Sequence, residues 1–178
     1  MTMPGVEIGA YLVSDHARLH ALLDRAMAVR DLDLAAFAEF RSGLLRHIAI
    51  EEKVLMPAVR KARGGEPLER AHELRIDHAA LTSLLVPTPD QGLCHEILSL
   101  LTVHDAKEEG PGGVYEECGR WLNDEERVLL GQRATSFREI HVSPHFDGPT
   151  VHRTAESALA SARRLRKPMG RKHRGSPQ

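Results

Sequence analysis

The chain has 178 residues, enough for one well-buried core with an appendage and short for two independent domains. Only 4% of its residues are aromatic while Ala, Leu, Glu and Arg abound, which argues against a strand-rich fold and for an all-α protein. Two cysteines, Cys94 and Cys118, are too few for a disulfide framework and suit a reducing compartment; with no leader and no apolar run of roughly 20 residues, a cytoplasmic location and no membrane partner are expected.

The formal net charge of −1 hides a division. Val151 to Gln178 holds eight Lys/Arg against one acidic residue, so an acidic body carries a basic tail.

In chain order, a first helix is predicted from about Pro4, a favourable first helical position, to Arg30, with Ile8, Leu12, His16, Leu19, Leu23 and Ala26 on one stripe. Asp31 and Asp33 offer cap oxygens for the next helix. That second helix spans about Leu34 to Arg63. Phe37, Phe40, Leu44, His47, Glu51, Val54 and Ala58 recur along it at steps of three and four, Pro57 should kink it, and Gly64 and Gly65 end it. The third, about Pro67 to Val86, carries Ala71, Leu74, His78, Leu81 and Leu85 on its stripe and stops before the run Pro87 to Asp90. The fourth, about Gln91 to Glu109, carries Leu93, Ile97, Leu100, His104 and Glu108 and is interrupted at Gly110 to Gly113, with a short continuation from Tyr115 to Leu122.

Helices of this length joined by short turns describe an up-down-up-down four-helix bundle over residues 1–123. Residues 124–178 form a C-terminal extension: a short helix from Asp124 to Phe137, a loop around Ser143 to Pro149, a helical stretch from Ala155 to Leu165, and an irregular basic end.

Each of the four stripes holds a histidine where a leucine would be expected. In an antiparallel hairpin two residues lie level when they are equally distant from the turn, so the midpoint of their numbers should fall on turn residues. His16 and His47 centre between Asp31 and Leu32, His47 and His78 between Ala62 and Arg63, and His78 and His104 on Gln91. All three midpoints fall at or beside predicted turns, which puts four imidazoles in one layer of the core. Glu51 follows His47 by four residues and Glu108 follows His104 by four, so each carboxylate shares its histidine's face one turn along. Buried carboxylates without partners are disfavoured. Two beside four histidines suggest a cation, and imidazole with carboxylate and no thiolate suits iron.

The same residues resemble the hemerythrin family, in particular its bacterial His-His-Glu cation-binding domains, from about Tyr11 to Leu122. The resemblance is carried by Asp15 with His16, the run His47 to Pro57 with Glu51 and Glu52, Asp77 with His78, and the run from His104 through Glu108 and Glu109 toward Tyr115. It implies a four-helix bundle with a non-haem di-iron centre. His16, His47, His78 and His104 would be terminal ligands of two iron ions, Glu51 and Glu108 would bridge them, and an oxo or hydroxo bridge is compatible; the same donors admit manganese or zinc. Oxygen-carrying hemerythrins have a further histidine one turn before the lone histidine of the third helix, where this chain has Leu74. That departure puts reversible oxygen carriage in doubt and leaves coordination positions open, as catalysis requires.

The expected function is therefore binding or sensing of dioxygen or a related small ligand. The alternative is a di-iron enzyme acting on peroxide or nitric oxide, or an iron donor for repair of iron clusters. A third reading, an interaction module without metal, needs only the bundle and its tail. Among the other polar residues, His20 is read as half-exposed or as a proton donor to the site, facing Gly43 by the midpoint rule. Asp15 and Asp77 are read as surface charges or as partners of another helix's imidazole. Glu52 and Glu109 are read as solvated flanks, able to reach the metal only if the backbone bulges. His72 and His95 are expected on the surface, and His141, His145 and His152 are too irregularly placed for a second metal site. Arg163, Arg164, Arg166, Lys167, Arg171, Lys172 and Arg174 could follow a phosphate backbone. Without interleaved aromatics a solvated tail is favoured, leaving nucleic acid an open but disfavoured partner. The oligomeric state is not legible.

Overall fold

The computed structural model describes residues 5–165, so Arg166, Lys167, Arg171, Lys172 and Arg174 of the basic tail lie outside the described residues. Among those described there is no strand. The helices are α1 (Ile8–Met27), α2 (Leu34–Ile50), a π-helical turn (Glu51–Leu55), α3 (Met56–Ala62), α4 (Ala71–Leu84), α5 (Gln91–Glu109), α6 (Val114–Trp121), α7 (Asp124–Thr135) and α8 (Ala155–Leu165).

The helix starts follow local chemistry. Asp33 accepts from the Ala36 amide and Asp90 from the Leu93 amide, while Asn123 and Glu126 exchange side-chain and backbone bonds as a capping box. Two boundaries differ from expectation. α1 begins at Ile8 and not at Pro4, because residues 5–7 lie extended across α7 so closely that a side chain at Gly131 would overlap the Val6 carbonyl. The predicted second helix is three consecutive helical pieces. Pro57 has no amide to donate, and just before it the Met56 amide reaches back to Glu51, five residues away, opening the π turn.

Contacts between helices show how they run. Tyr11 meets Arg46 and Arg25 meets Glu39, so α1 and α2 run in opposite senses. The same crossing numbers link α2 to α4 (Arg41 with Leu85, Glu52 with His78), α4 to α5 (Glu73 with Lys107, Asp77 with His104) and α5 to α1 (Glu109 with His16, Gln91 with Met27). α1 and α2 approach closely at Gly43, where a Cβ would come within 2.9 Å of the Leu19 and Arg18 side chains.

The buried apolar residues form two clusters. One gathers Leu19, Leu23, Phe37, Phe40, Leu44, Leu81, Leu84 and Ile97, joined by Ala158 and Ala162 of α8. The other gathers Ile8, Leu12, Ile50, Leu55 and Leu74 with Val114 and Cys118 of α6 and Leu130 and Ala134 of α7. Residues beyond Asn123 thus supply core side chains to both. A fully buried leucine or phenylalanine contributes about 1.5–3 kcal/mol by leaving water, so these clusters drive the fold. Where they part, the interior is polar.

Candidate metal centre

His16 on α1, His47 on α2, His78 on α4, and His104 and Glu108 on α5 meet Glu51, the first residue of the π turn. None of the six is more than 3% exposed. The histidines pair two and two, with ring centroids 4.4 Å apart for His16 and His47 and 4.9 Å for His78 and His104. The donor atoms form two groups, His16, His47, Glu51 and Glu108 in one and Glu51, His78, His104 and Glu108 in the other, each within 4.8 Å of the rest of its group. Glu51 and Glu108 belong to both. The six residues singled out in the sequence are therefore brought together, at the heights that the midpoint rule assigns.

Every imidazole presents Nε2 to the interior. His47 Nε2 lies 3.6 Å from Glu51, His78 Nε2 lies 3.1 Å from Glu51 and 3.9 Å from Glu108, and His104 Nε2 and His16 Nε2 each lie 3.3 Å from Glu108. Among the described residues, Nε2 of His47, His78 and His104, Oε2 of Glu51 and Oε1 of Glu108 are enclosed without a hydrogen-bond partner. An unsatisfied buried polar atom costs about 1–3 kcal/mol. So many facing one another fit a cation that all of them can ligate, and the nitrogen and oxygen donor set suits iron, manganese or zinc.

Charges in the metal-free layer tell the same story. Burial opposes a proton on His47, but the Glu51 charge and the bond to Asp15 hold it up to about 10. His78, equally opposed by burial, is held up to about 9 by Glu51 and Glu52. The carboxyl of Glu51 is pushed well down: burial works against its charge, and the adjoining His47 and His78 outweigh it. Glu108 goes the other way, raised by burial and by the Glu51 charge.

The outer nitrogens form a closed ring of support. Asp15 of α1 bonds His47 Nδ1 at 3.0 Å, Glu52 of the π turn bonds His78 Nδ1 at 3.0 Å, Asp77 of α4 bonds His104 Nδ1 at 3.4 Å, and Glu109 of α5 bonds His16 Nδ1. Each helix lends one acid to the next helix's histidine. Such outer carboxylates fix the tautomer and the ring orientation of metal-binding imidazoles. Asp15 and Asp77 take the interhelical role read from sequence. Glu52 and Glu109 are partly exposed, as flanks would be, yet each also bonds an imidazole. The backbone does bulge at Glu52, yet its carboxylate goes to an imidazole's outer edge.

Tyr115 is the residue that sequence reasoning missed most clearly. Gly112 at φ 67° and Gly113, whose Cβ would meet the Glu108 carbonyl at 2.5 Å, turn the chain sharply enough to return α6 beneath the layer. The Tyr115 hydroxyl donates to Glu51 at 2.6 Å and lies 3.1 Å from Glu108 and 3.4 Å from His16 Nε2. Burial and the two carboxylate charges raise its pKa well above the ordinary phenol value, keeping it a donor. The glycines between Glu108 and Tyr115 break the helical period that would otherwise have linked the two residues.

His20 faces α5 and not Gly43, bonding Asp105 at 2.6 Å. His72 and His95 are exposed. His145 leans on the Val86 carbonyl and His152 on the Ser157 hydroxyl, and His141 is exposed, so these three form no cluster among the described residues. Cys94 and Cys118 are free and buried, their thiols pushed up by burial to about 11 and about 12. Arg163 and Arg164 are exposed at the end of α8. Among the described residues no helix is long and apolar enough to cross a membrane.

A profile of the hemerythrin HHE cation-binding domain matches residues 8–111. No curated protein and no solved structure matches the chain.

Proposed function

Because the chain belongs to the hemerythrin HHE cation-binding domain family, we propose that it is a non-haem di-iron protein that binds or senses dioxygen or a related small ligand. One observation carries this reading: four inward Nε2 atoms divide two and two around a pair of carboxylates common to both groups. His16 and His47 would hold one iron, His78 and His104 the other, with Glu51 and Glu108 shared. In this reading α1, α2 through α3, α4 and α5 are the up-down-up-down bundle, and the protein works in the reducing cytoplasm that suits its free thiols.

When bound, the iron pair supplies redox-active positions for a small ligand. The chain's own part is to orient the donors and to keep water out. The acid ring holds each imidazole, and the Tyr115 hydroxyl ties Glu51 to Glu108. A cavity of about 290 Å3, lined by Ile8, Leu55, Cys118 and Leu122 with Glu7, Glu116 and Arg127 also on its wall, reaches Tyr115 and offers a small molecule an approach. Anaerobically reduced, iron-loaded protein should take up dioxygen and release it unchanged under vacuum. Irreversible oxidation with no bound state would remove the binding reading.

Leu74 favours a second reading. It is 1% exposed and packs in the same apolar cluster as Leu12, so no fifth histidine fills that side. An enzyme acting on peroxide or nitric oxide, or a donor of iron to damaged clusters, would use the positions so left. Steady peroxide consumption that disappears in His104→Ala supports it, and turnover no faster than that of free iron removes it.

A further inference from the structure

Around the polar layer every supporting contact has one sense, with the acid outside on Nδ1 and the imidazole's Nε2 inside. One acid and imidazole contact reverses it. His20, a turn beyond His16 on α1, is the outer member, with a side chain 30% exposed. Asp105, next to His104 on α5, is the inner member and is 8% exposed. His20 Nε2 bonds Asp105 Oδ2 at 2.6 Å. The second oxygen, Oδ1, is enclosed, has no hydrogen-bond partner, and points at the layer 3.7 Å from His16 Nε2, too far for a hydrogen bond.

A carboxylate taken out of water with one oxygen unpaired is costly. The cost disappears if that oxygen meets a cation held by the neighbouring imidazole. Asp105 itself lies outside both donor groups, but a carboxylate gripped from behind, with its free oxygen turned toward a neighbouring imidazole, is the arrangement in which an outer group orients a ligand.

We propose that Asp105 is a further protein ligand to the cation on the His16 and His47 side, with His20 as its positioning residue, which makes the two cation sites unequal. The proposal rests on the two-cation reading above. The His16 side has Asp105 Oδ1 and the Tyr115 hydroxyl near Nε2 in addition to the shared carboxylates. The His78 and His104 side has, among the described residues, the shared carboxylates alone.

The test is anaerobic titration of metal-free protein with ferrous iron against a competing chelator, resolving two stepwise constants, with Mössbauer spectra of the loaded forms. Wild-type protein should take two irons in distinct environments. Asp105→Asn, close in shape, should weaken one step by tenfold or more and alter one of the two spectral components. Retention of both wild-type constants and both components would overturn the proposal. If Asp105→Asn does not fold, His20→Gln at a half-exposed position decides: a one-step weakening of several-fold supports the proposal, and unchanged constants and spectra overturn it. Wild-type protein that takes no iron overturns the two-cation reading itself, an outcome distinct from equal binding in wild type and variant.

Discussion

The two apolar clusters and the polar layer between them are equally enclosed and follow opposite rules. Phe40 and Leu81 on one side, and Leu12 and Leu74 on the other, are withdrawn from water and gain by it. Glu51, Glu108 and the four imidazoles are withdrawn just as far, and several of their polar atoms find no partner. The clusters are held by apolar burial alone, while the layer keeps unpartnered polar atoms that a cation would satisfy.

Metal removal should break this contrast most visibly. At a thousandfold excess over Kd each bound cation adds about 4 kcal/mol, so chelation should lower the denaturation midpoint sharply while the helical circular dichroism persists. An unchanged midpoint would mean that the layer needs no cation.

Truncation within a cluster should cost less than removing both cations and be indifferent to metal. Phe40→Ala should lose about 3–5 kcal/mol in chemical denaturation, equally with and without cations. A loss confined to the loaded protein would erase the distinction between the regions.

The ring of outer acids should act only through the layer. Asp15→Asn leaves His47 in place and should weaken cation binding by roughly 10–100-fold in a chelator competition. Wild-type affinity would make the ring incidental.

The smallest effect is a pH dependence of the metal-free protein. His47 and His78 are held at about 10 and about 9, above their ordinary 6.5. Groups raised in the folded state stabilise it fully below about 6.5 and lose that contribution as pH rises through 9 to 10. Metal-free stability should therefore fall from pH 7 to 10, and loading at pH 7 should release protons, seen as a calorimetric enthalpy that varies with the buffer. Rising stability over that range would contradict the assignment.

Much of the site was legible because helical periodicity and turn residues fix height along a bundle. His16, His47, His78, His104, Glu51 and Glu108 each fall on a stripe, and the turns lie where Gly, Pro and Asp stand. Direction around the helix axis was less legible. His20 was assigned by height to Gly43, yet its side chain turns to Asp105, which is off the α5 stripe and so attracted no notice. Glu52 was misread because a π turn shifts the angular step that a regular helix would give. Tyr115 depends on a positive-φ turn, and the packing of Ala158 and Ala162 against the core is a tertiary fact that an 11-residue alanine-rich stretch does not announce.

Anomalous X-ray diffraction at the iron edge, on crystals of protein grown in iron-supplemented cells, tests the central claim most directly. The account predicts two peaks between Glu51 and Glu108, one beside His16 and His47 and the other beside His78 and His104. No peak in that layer, or peaks only at surface histidines, would contradict it.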